Sequence, residues 1–350
     1  MAVMQPLVLV VGAGVAGLTC ARELTRRGVP CVVLERGPGI GGRCGTLDLD
    51  GQPVDHGTPF LHAESREFGL ELDALGDAGK VRGWPLRVRE DHRSRLAPGL
   101  RGQRRMARHG GVGELPASLA RDLDVRCGRG IASLTDAGEH IRLTLDDGST
   151  LEAPFVAVAT ALDDALALVA GEVAGWPGAA ARLDGMKQLR WVPTLTLITR
   201  YLPGARDLPF DLWRPASTAI LGDVIVDSGK RGSARQPTLV LHARESFSRD
   251  YLDRDTDEWA SEMLWEVGEL LGPWAARPVA FHPHVWRCAR LRPDQSMGEV
   301  MTFETQRGGC VSLCGDAFAA QAGLEGAYMS GIALGEQIAT LPRVRELVRA

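Results

Sequence analysis

Short apolar runs that end at glycine or a carboxylate recur along this chain. Residues 7–11, 31–34, 155–160 and 310–313 are nearly unbroken apolar stretches rich in β-branched side chains. Runs of that length and composition predict strands buried on both faces of a parallel sheet. Between the first two, residues 15–27 have helical spacing, with Arg26 and Arg27 in the last turn and Gly28 as the cap. Shorter segments at 131–134, 140–145 and 151–153 predict an antiparallel meander, turned at Asp147-Gly148. Residues 192–201 and 238–243 read as further strands. Residues 255–271 read as a helix with Trp259, Met263, Val267 and Leu271 on one face. A last helix opens at 323–326 and runs through Ser330, Gly331 and Gly335 to about Ile338.

Gly12, Gly14 and Gly17, with Ala16 among them, have the GxGxxG spacing at the end of the first strand. The first glycine permits the tight turn, the second the approach of a pyrophosphate, and the third the packing of helix on strand. Glu35, followed by Arg36, closes the second strand where a Rossmann unit places an acceptor for ribose hydroxyls. A glycine turn can occur without a ligand, but strand, turn, helix, strand and acid together predict a dinucleotide site. Near the other end, Gly315-Asp316 follows an apolar strand at its carboxyl end, where open α/β sheets bind ligands. Asp316 read alone could be a helix cap. Backbone N–H groups at the start of the helix that follows form a positive end suited to an anion.

The chain has 350 residues, 45% hydrophobic and 24% charged, with a net charge of -4. That length suits two interleaved domains, expected as 1–75, 106–162 and 290–350 for the dinucleotide-binding part and 76–105 with 163–289 for a substrate part. The charge gives no reason to expect nucleic acid. The apolar start lacks a basic n-region and is broken by glycines, so it reads as a strand; no run reaches the length of a membrane span. Seven cysteines without a CxxC pair suit reduced thiols and a cytoplasmic location, with Cys31, Cys310 and Cys314 as small buried hydrophobes. His282 and His284 share a predicted strand, but no further ligand cluster accompanies them, so no metal is expected. Arg87, Arg89, Arg93, Arg95, Arg101, Arg104, Arg105 and Arg108 crowd residues 81–111. They read either as a solvated hairpin or as a wall facing a phosphate-bearing substrate.

Gly41-Gly42-Arg43 resembles the GGR loop of amine-oxidase-type flavoproteins, and Gly315-Asp316 resembles their GD motif. The resemblance narrows to the renalase branch of the FAD-dependent amine oxidase superfamily. It is carried by Val54-Asp55-His56-Gly57, Arg66-Glu67-Phe68, Gly111 to Pro116, Leu123 to Arg126, His284 to Ala289, and Gly323 to Ala327 with Ser330-Gly331. It implies an α/β fold in which a Rossmann-type FAD-binding domain is interleaved with an α+β substrate domain, similar to p-hydroxybenzoate hydroxylase and the amine oxidases. It also implies non-covalent FAD held by Gly12, Gly14, Ala16, Gly17, Glu35, Arg36, Gly42, Arg43, His56, Gly57, the Val125 backbone, Gly315, Asp316, Gly323, Gly326 and Ala327. Phe60, His62, Trp286 and Glu325 would stand near the reacting ring. The sequence departs from the branch at Thr58 to His62, where renalases carry GAQYFT after VDH, and at Cys288, where they carry tyrosine.

Bound FAD would carry the redox chemistry, which fits a chain with no Ser-His-Asp or Cys-His arrangement. Many amine oxidases hold a water near the flavin with a lysine. This chain has only Lys80, Lys187 and Lys230, none of them in the 192–201 strand. The implied activity is hydride transfer from a small electron-rich donor, such as an isomeric dihydronicotinamide dinucleotide, with O2 as acceptor. Two alternatives stand beside it: a specialised amine oxidase or desaturase, and a non-catalytic binding protein on the same fold. Oligomeric state stays open.

Overall fold

The computed structural model describes residues 6–91, 104–204, 207–232, 236–292 and 295–349. Arg93, Arg95 and Arg101 of the arginine-rich stretch lie outside these. The chain divides into two compact units. One comprises Met1–Gly42, Pro116–Arg190 and Arg290–Ala350, and the other Arg43–Leu115 and Trp191–Ala289.

The first unit is built on a six-stranded sheet in the order Met301–Glu304, Cys310–Leu313, Phe155–Val158, Val8–Val11, Cys31–Leu34, Val125–Arg126. All neighbours are parallel except the edge strand Met301–Glu304. Val8–Val11 sits centrally and every residue in it is buried, as its unbroken apolar pattern requires. The helix Val15–Arg26 follows it, and Arg27 with Gly28 at φ 74° ends that helix. The meander forms from Ile131–Asp136, Ile141–Leu145 and Thr150–Ala153. The helix Leu324–Thr340 packs on Val15–Arg26 along a glycine stripe. A Cβ on Gly331 would strike the Ala16 carbonyl, and one on Gly335 would lie 2.7 Å from Glu23 Cβ. The helices Leu162–Val173, Ala179–Gln188 and Pro342–Arg349 also belong to this unit. The sequence reading had placed residues 163–190 with the substrate part, but Glu172 accepts a hydrogen bond from the Asp136 amide of the meander, 3.0 Å away.

The second unit is built on another six-stranded sheet, ordered Ala280–Leu291, Trp191–Arg200, Thr238–Ala243, Leu221–Val226, Leu212–Arg214, Val88–Glu90. One face packs on the helix Thr256–Leu271. Trp259, Met263 and Val267 are buried there against Leu195, Leu197, Leu239 and Leu241. The other face carries Ile198, Leu212, Ile225 and Val240, which pack with Val54, Phe60, Trp84 and Ala107. Residues 43–75 and 106–115 belong to this unit rather than to the first. The physical reason is a buried charge cluster centred on Asp55, described next.

Candidate functional sites in the two units

In the first unit the carboxyl ends of the parallel strands gather the predicted dinucleotide residues. Gly12 follows the central strand with φ 105°, a conformation that favours glycine. A Cβ on Gly17 would collide with the Gly12 carbonyl, so the third glycine is required by the turn itself. A Cβ on Gly14 would meet nothing within 4 Å. The structure gives no packing reason for glycine there, and an open approach to the backbone is what a pyrophosphate needs. The Glu35 carboxylate is fixed by two amides, accepting from Ala13 N at 2.8 Å and Gly37 N at 2.7 Å. Gly41 N donates to the Ala13 carbonyl at 2.8 Å, which draws the glycine pair 41–42 against the turn.

Gly315 follows Cys310–Leu313, parallel to the central strand, and reaches the same sheet edge. Its amide donates to Ser330 Oγ at 3.0 Å, and Ser330 Oγ donates to the Ala327 carbonyl at 2.9 Å, tying the GD turn to the last helix. Asp316 is buried in a single 3-10 turn, Asp316–Phe318, and does not cap the long helix; Gly323, at φ 114°, occupies that position without a side-chain cap. Glu325 is half-buried in the first turn and Ala327 is buried, while Arg36 is exposed. A Cβ on Gly326 would strike the Gln321 carbonyl. Val125 pairs with Val33, so the short strand beyond Glu35 is where the sequence placed it. The open Gly14, the fixed Glu35 and the uncapped helix start fit the phosphates and ribose of FAD.

The second unit brings together Arg43, His56, Gly57 and Trp286. Thr58 N donates to the Arg43 carbonyl at 2.9 Å. A Cβ on Gly57 would collide with that carbonyl and come within 3.2 Å of the Trp286 ring. The Arg43 guanidinium lies 5.1 Å from the centre of the Trp191 ring. Phe60 is separate from this group. It is buried among Val54, Trp84 and the sheet and touches His62, ring to ring, at 5.9 Å. That setting makes Phe60 a packing residue.

Asp55, Asp227, Lys230 and Arg231 were not legible as a group. Asp55, Asp227 and Lys230 are fully buried. Lys230 Nζ lies 2.8 Å from Asp55, 2.7 Å from Asp227 and 2.8 Å from the Pro59 carbonyl. An ammonium has three donors, and all three are committed, so Lys230 has none left to hold a water. Burial alone would raise the Asp55 pKa, but Lys230 and Arg231 hold it below the usual carboxylate range. Asp55 also accepts from Thr46 Oγ1 at 2.7 Å and Val112 N at 3.0 Å. The aspartate of VDHG is thus a structural anchor. Arg87 and Arg89 form half-exposed pairs with Asp211 and Asp91, and the buried Arg108 pairs with Glu114.

His56, His284 and Trp286 form a triangle of rings. His56 stacks on Trp286 at 4.9 Å and meets His284 edge-on at 4.7 Å, and His284 lies 4.1 Å from Trp286. The His56 carbonyl faces Trp286 Nε1 and His242 Nε2, each at 3.3 Å. His284 and His242 are the ring residues that sequence reading missed or took as ordinary strand positions. Burial, with His284 and His242 nearby, pushes the His56 pKa down to about 4, and burial lowers that of His284. A depressed histidine stabilises the fold above its unfolded pKa of about 6.5, and the contribution is lost as pH falls toward the folded value. Stability should therefore fall by about 3 kcal/mol from His56 between roughly pH 6.5 and pH 4. Urea titrations across that range check this; a His56→Gln variant with an unchanged pH slope would refute it.

Among the described residues no group of three or more His, Cys, Asp and Glu is placed to hold a metal ion, and no helix is long and apolar enough to cross a membrane. Residues 10–69 match the NAD(P)-binding Rossmann-like domain profile, and residues 79–338 match that of the flavin containing amine oxidoreductases. Among characterised proteins, the chain is 40% identical over 72 residues to the pseudooxynicotine dehydrogenase of a Pseudomonas species, covering 19% of this chain and 14% of that protein. It is 30% identical over 195 residues to the 2-heptyl-3-hydroxy-4(1H)-quinolone synthase of Pseudomonas aeruginosa, covering 51% of this chain and 44% of the relative. Less than half of these relatives' own length is therefore matched. Among solved structures, putrescine oxidase bound to putrescine superposes with a TM-score of 0.69 at 15% identity, over 97% of this chain and 100% of the other. Cyclohexylamine oxidase from Brevibacterium oxydans superposes with a TM-score of 0.65 at 14% identity, over 99% and 100%. At those identities the likeness is one of fold.

Proposed function

The chain belongs to the flavin containing amine oxidoreductase family, and from that premise we propose that it removes hydride from a carbon beside nitrogen in a small electron-rich donor. It is an FAD-dependent oxidoreductase that holds its flavin non-covalently. The observation that carries the reading is the intact cradle, with Gly14 open and Glu35 fixed by two amides. A protein kept only for binding a partner would need neither.

Bound FAD supplies the two-electron acceptor. The donor C–H bond breaks, its electron pair leaves as hydride, and the donor becomes an iminium or pyridinium cation. With O2 as acceptor, the donor's hydride and one proton from solvent would together account for H2O2. Within this reading Glu35 binds ribose, while Arg43 and Asp316 hold the phosphate and ribityl regions. Gly12, Gly14, Ala16 and Gly17 admit the pyrophosphate. Trp286 and His62 remain the groups assigned to the donor side, with Glu325 at the helix start. The segments from His284 to Ala289 and Gly323 to Ala327 support placing the chain near the renalase-like branch, and free cysteines are in keeping with a cytoplasmic site of action.

The engaged arginines weigh on the donor. Arg87, Arg89 and Arg108 are committed to carboxylates within their own unit, which removes part of the support for a phosphate-bearing dinucleotide and favours a smaller amine. Anaerobic stopped-flow mixing of the yellow protein with amines and with isomeric dihydronicotinamides tests this. Amines are expected to bleach the visible flavin absorbance. Bleaching by the dinucleotides alone would restore the renalase reaction, and bleaching by neither class would overturn the proposal.

A further inference from the structure

Within the second unit, three strands place Thr196, His242 and Asp223 in one row. Thr196 pairs with His242, and His242 with Asp223, in antiparallel register. Directly opposed residues share a face. This is the face to which His242 brings the His56 carbonyl, and with it the ring triangle of His56, His284 and Trp286.

Two polar atoms in this group are buried without a partner: Thr196 Oγ1 and His56 Nδ1. Thr196 is fully buried and His56 is 5% exposed. Buried hydroxyl and imidazole groups ordinarily find partners, so two orphans, one on a strand neighbour of His242 and one on the residue whose carbonyl His242 meets, are a sign of an unfilled hydrogen-bonding site. A hydroxyl can donate and accept, and a neutral imidazole nitrogen without its proton accepts.

Carboxylates near the row are already matched. Asp223 accepts from Arg214 Nε at 2.9 Å, and Glu90 from Arg214 Nη1 at 3.1 Å. Asp55 and Asp227 share Lys230 and Arg231. An ammonium entering here would find imidazoles, a tryptophan and a threonine, with every one of these carboxylates already paired. Desolvating that charge without a counter-ion is costly, whereas an uncharged ring loses nothing comparable and gains stacking area on Trp286.

We propose that Thr196, His56, His284 and Trp286 select an uncharged, planar donor with a ring N–H, and disfavour aliphatic diammonium donors. This names a substrate class for the activity proposed above and rests on that reading. Thr196 and His56 are the specificity-determining residues, Trp286 and His284 supply the flat wall, and His242 acts as a positioning residue through the His56 carbonyl. Hydrogen-bonded sites discriminate strongly because a poor ligand leaves their buried atoms unpaired.

The test uses the FAD-loaded protein and three probes. Indoline is an uncharged aryl amine at neutral pH, 1,4-diaminobutane is a dication, and oxindole is a planar N–H lactam for equilibrium binding followed by flavin difference spectra. Indoline is expected to reduce the flavin at least about tenfold more efficiently than 1,4-diaminobutane. Thr196→Val should raise the oxindole Kd about tenfold, and Thr196→Ser should restore it. His284→Asp should shift the reduction ratio toward 1,4-diaminobutane. Equal or better reduction by 1,4-diaminobutane, or an oxindole Kd indifferent to Thr196→Val, overturns the inference. If neither amine reduces the flavin, the amine oxidation reading fails instead, and oxindole binding still decides the roles of Thr196 and His56. Should Thr196→Val not fold, Thr196→Ala with the same Ser control takes its place.

Discussion

Replacing Lys230 with methionine is expected to lower stability by about 3 to 5 kcal/mol, the range for removing one partner of a buried ion pair. Methionine nearly matches the volume of the lysine stem, so the loss is chiefly electrostatic. It leaves Asp55 and Asp227 to share Arg231 alone and strips the Pro59 carbonyl of its donor. Thermal melting should register a fall on the order of 10 °C. Acid should narrow the gap from the parent, because protonation removes the charge that the substitution strands. Asp55 is held below its ordinary pKa, so its contribution is present above roughly pH 4 and disappears as pH drops through the folded value. Without Lys230 the buried carboxylate takes up its proton at higher pH, so acid costs the variant less than it costs the parent. Asp55→Asn combined with Lys230→Met should cost less than the sum of the single changes, because the second removes a charge the first has stranded. A single variant melting within about 2 °C of the parent would show that the cluster is hydrated or dispensable.

This cluster also explains where sequence reading stopped. Strands buried on both faces, such as Val8–Val11 and Cys31–Leu34, are legible because nothing but apolar residues survives there. The cradle is legible because its chemistry is local: three glycines and one carboxylate within a single strand, turn, helix and strand. Lys230 meets Asp55 across 175 positions in the chain, and no periodicity reports a contact of that separation. Its one local signal is Asp227 three residues earlier, which by itself looks like an ordinary solvated turn. The row of Thr196, His242 and Asp223 was hidden in a similar way. Each strand could be read, but the register that aligns them belongs to the sheet. The motif VDHG was recognised as a string, yet its aspartate turned out to secure the loop while its histidine joins the ring triangle. Residues 43–75, expected with the dinucleotide-binding part, group with the second compact unit for the same cause, through contacts distant in sequence.

Gly14→Ala and Gly17→Ala should fail in different ways, and the difference separates ligand binding from folding. At position 14 the backbone is extended, with φ -75° and ψ 177°, and a methyl group would enter open space. Alanine is conformationally acceptable there, so the apoprotein should melt within about 0.5 kcal/mol of the parent. What the methyl group obstructs is the close approach of the pyrophosphate. FAD affinity should therefore drop at least tenfold, or about 1.4 kcal/mol, and the protein should purify with little colour. At position 17 the methyl group would collide with the Gly12 carbonyl, and Gly12 cannot easily yield because its φ of 105° already suits only glycine. Overpacking of this kind costs roughly 1 to 3 kcal/mol, so Gly17→Ala should melt earlier even when stripped of flavin. Flavin content together with apoprotein melting measures both. If Gly14→Ala retains FAD at the parental stoichiometry and affinity, the turn does not approach the cofactor in the way its open geometry implies. If instead both variants melt alike, the third glycine is not the packing element that the helix and strand require.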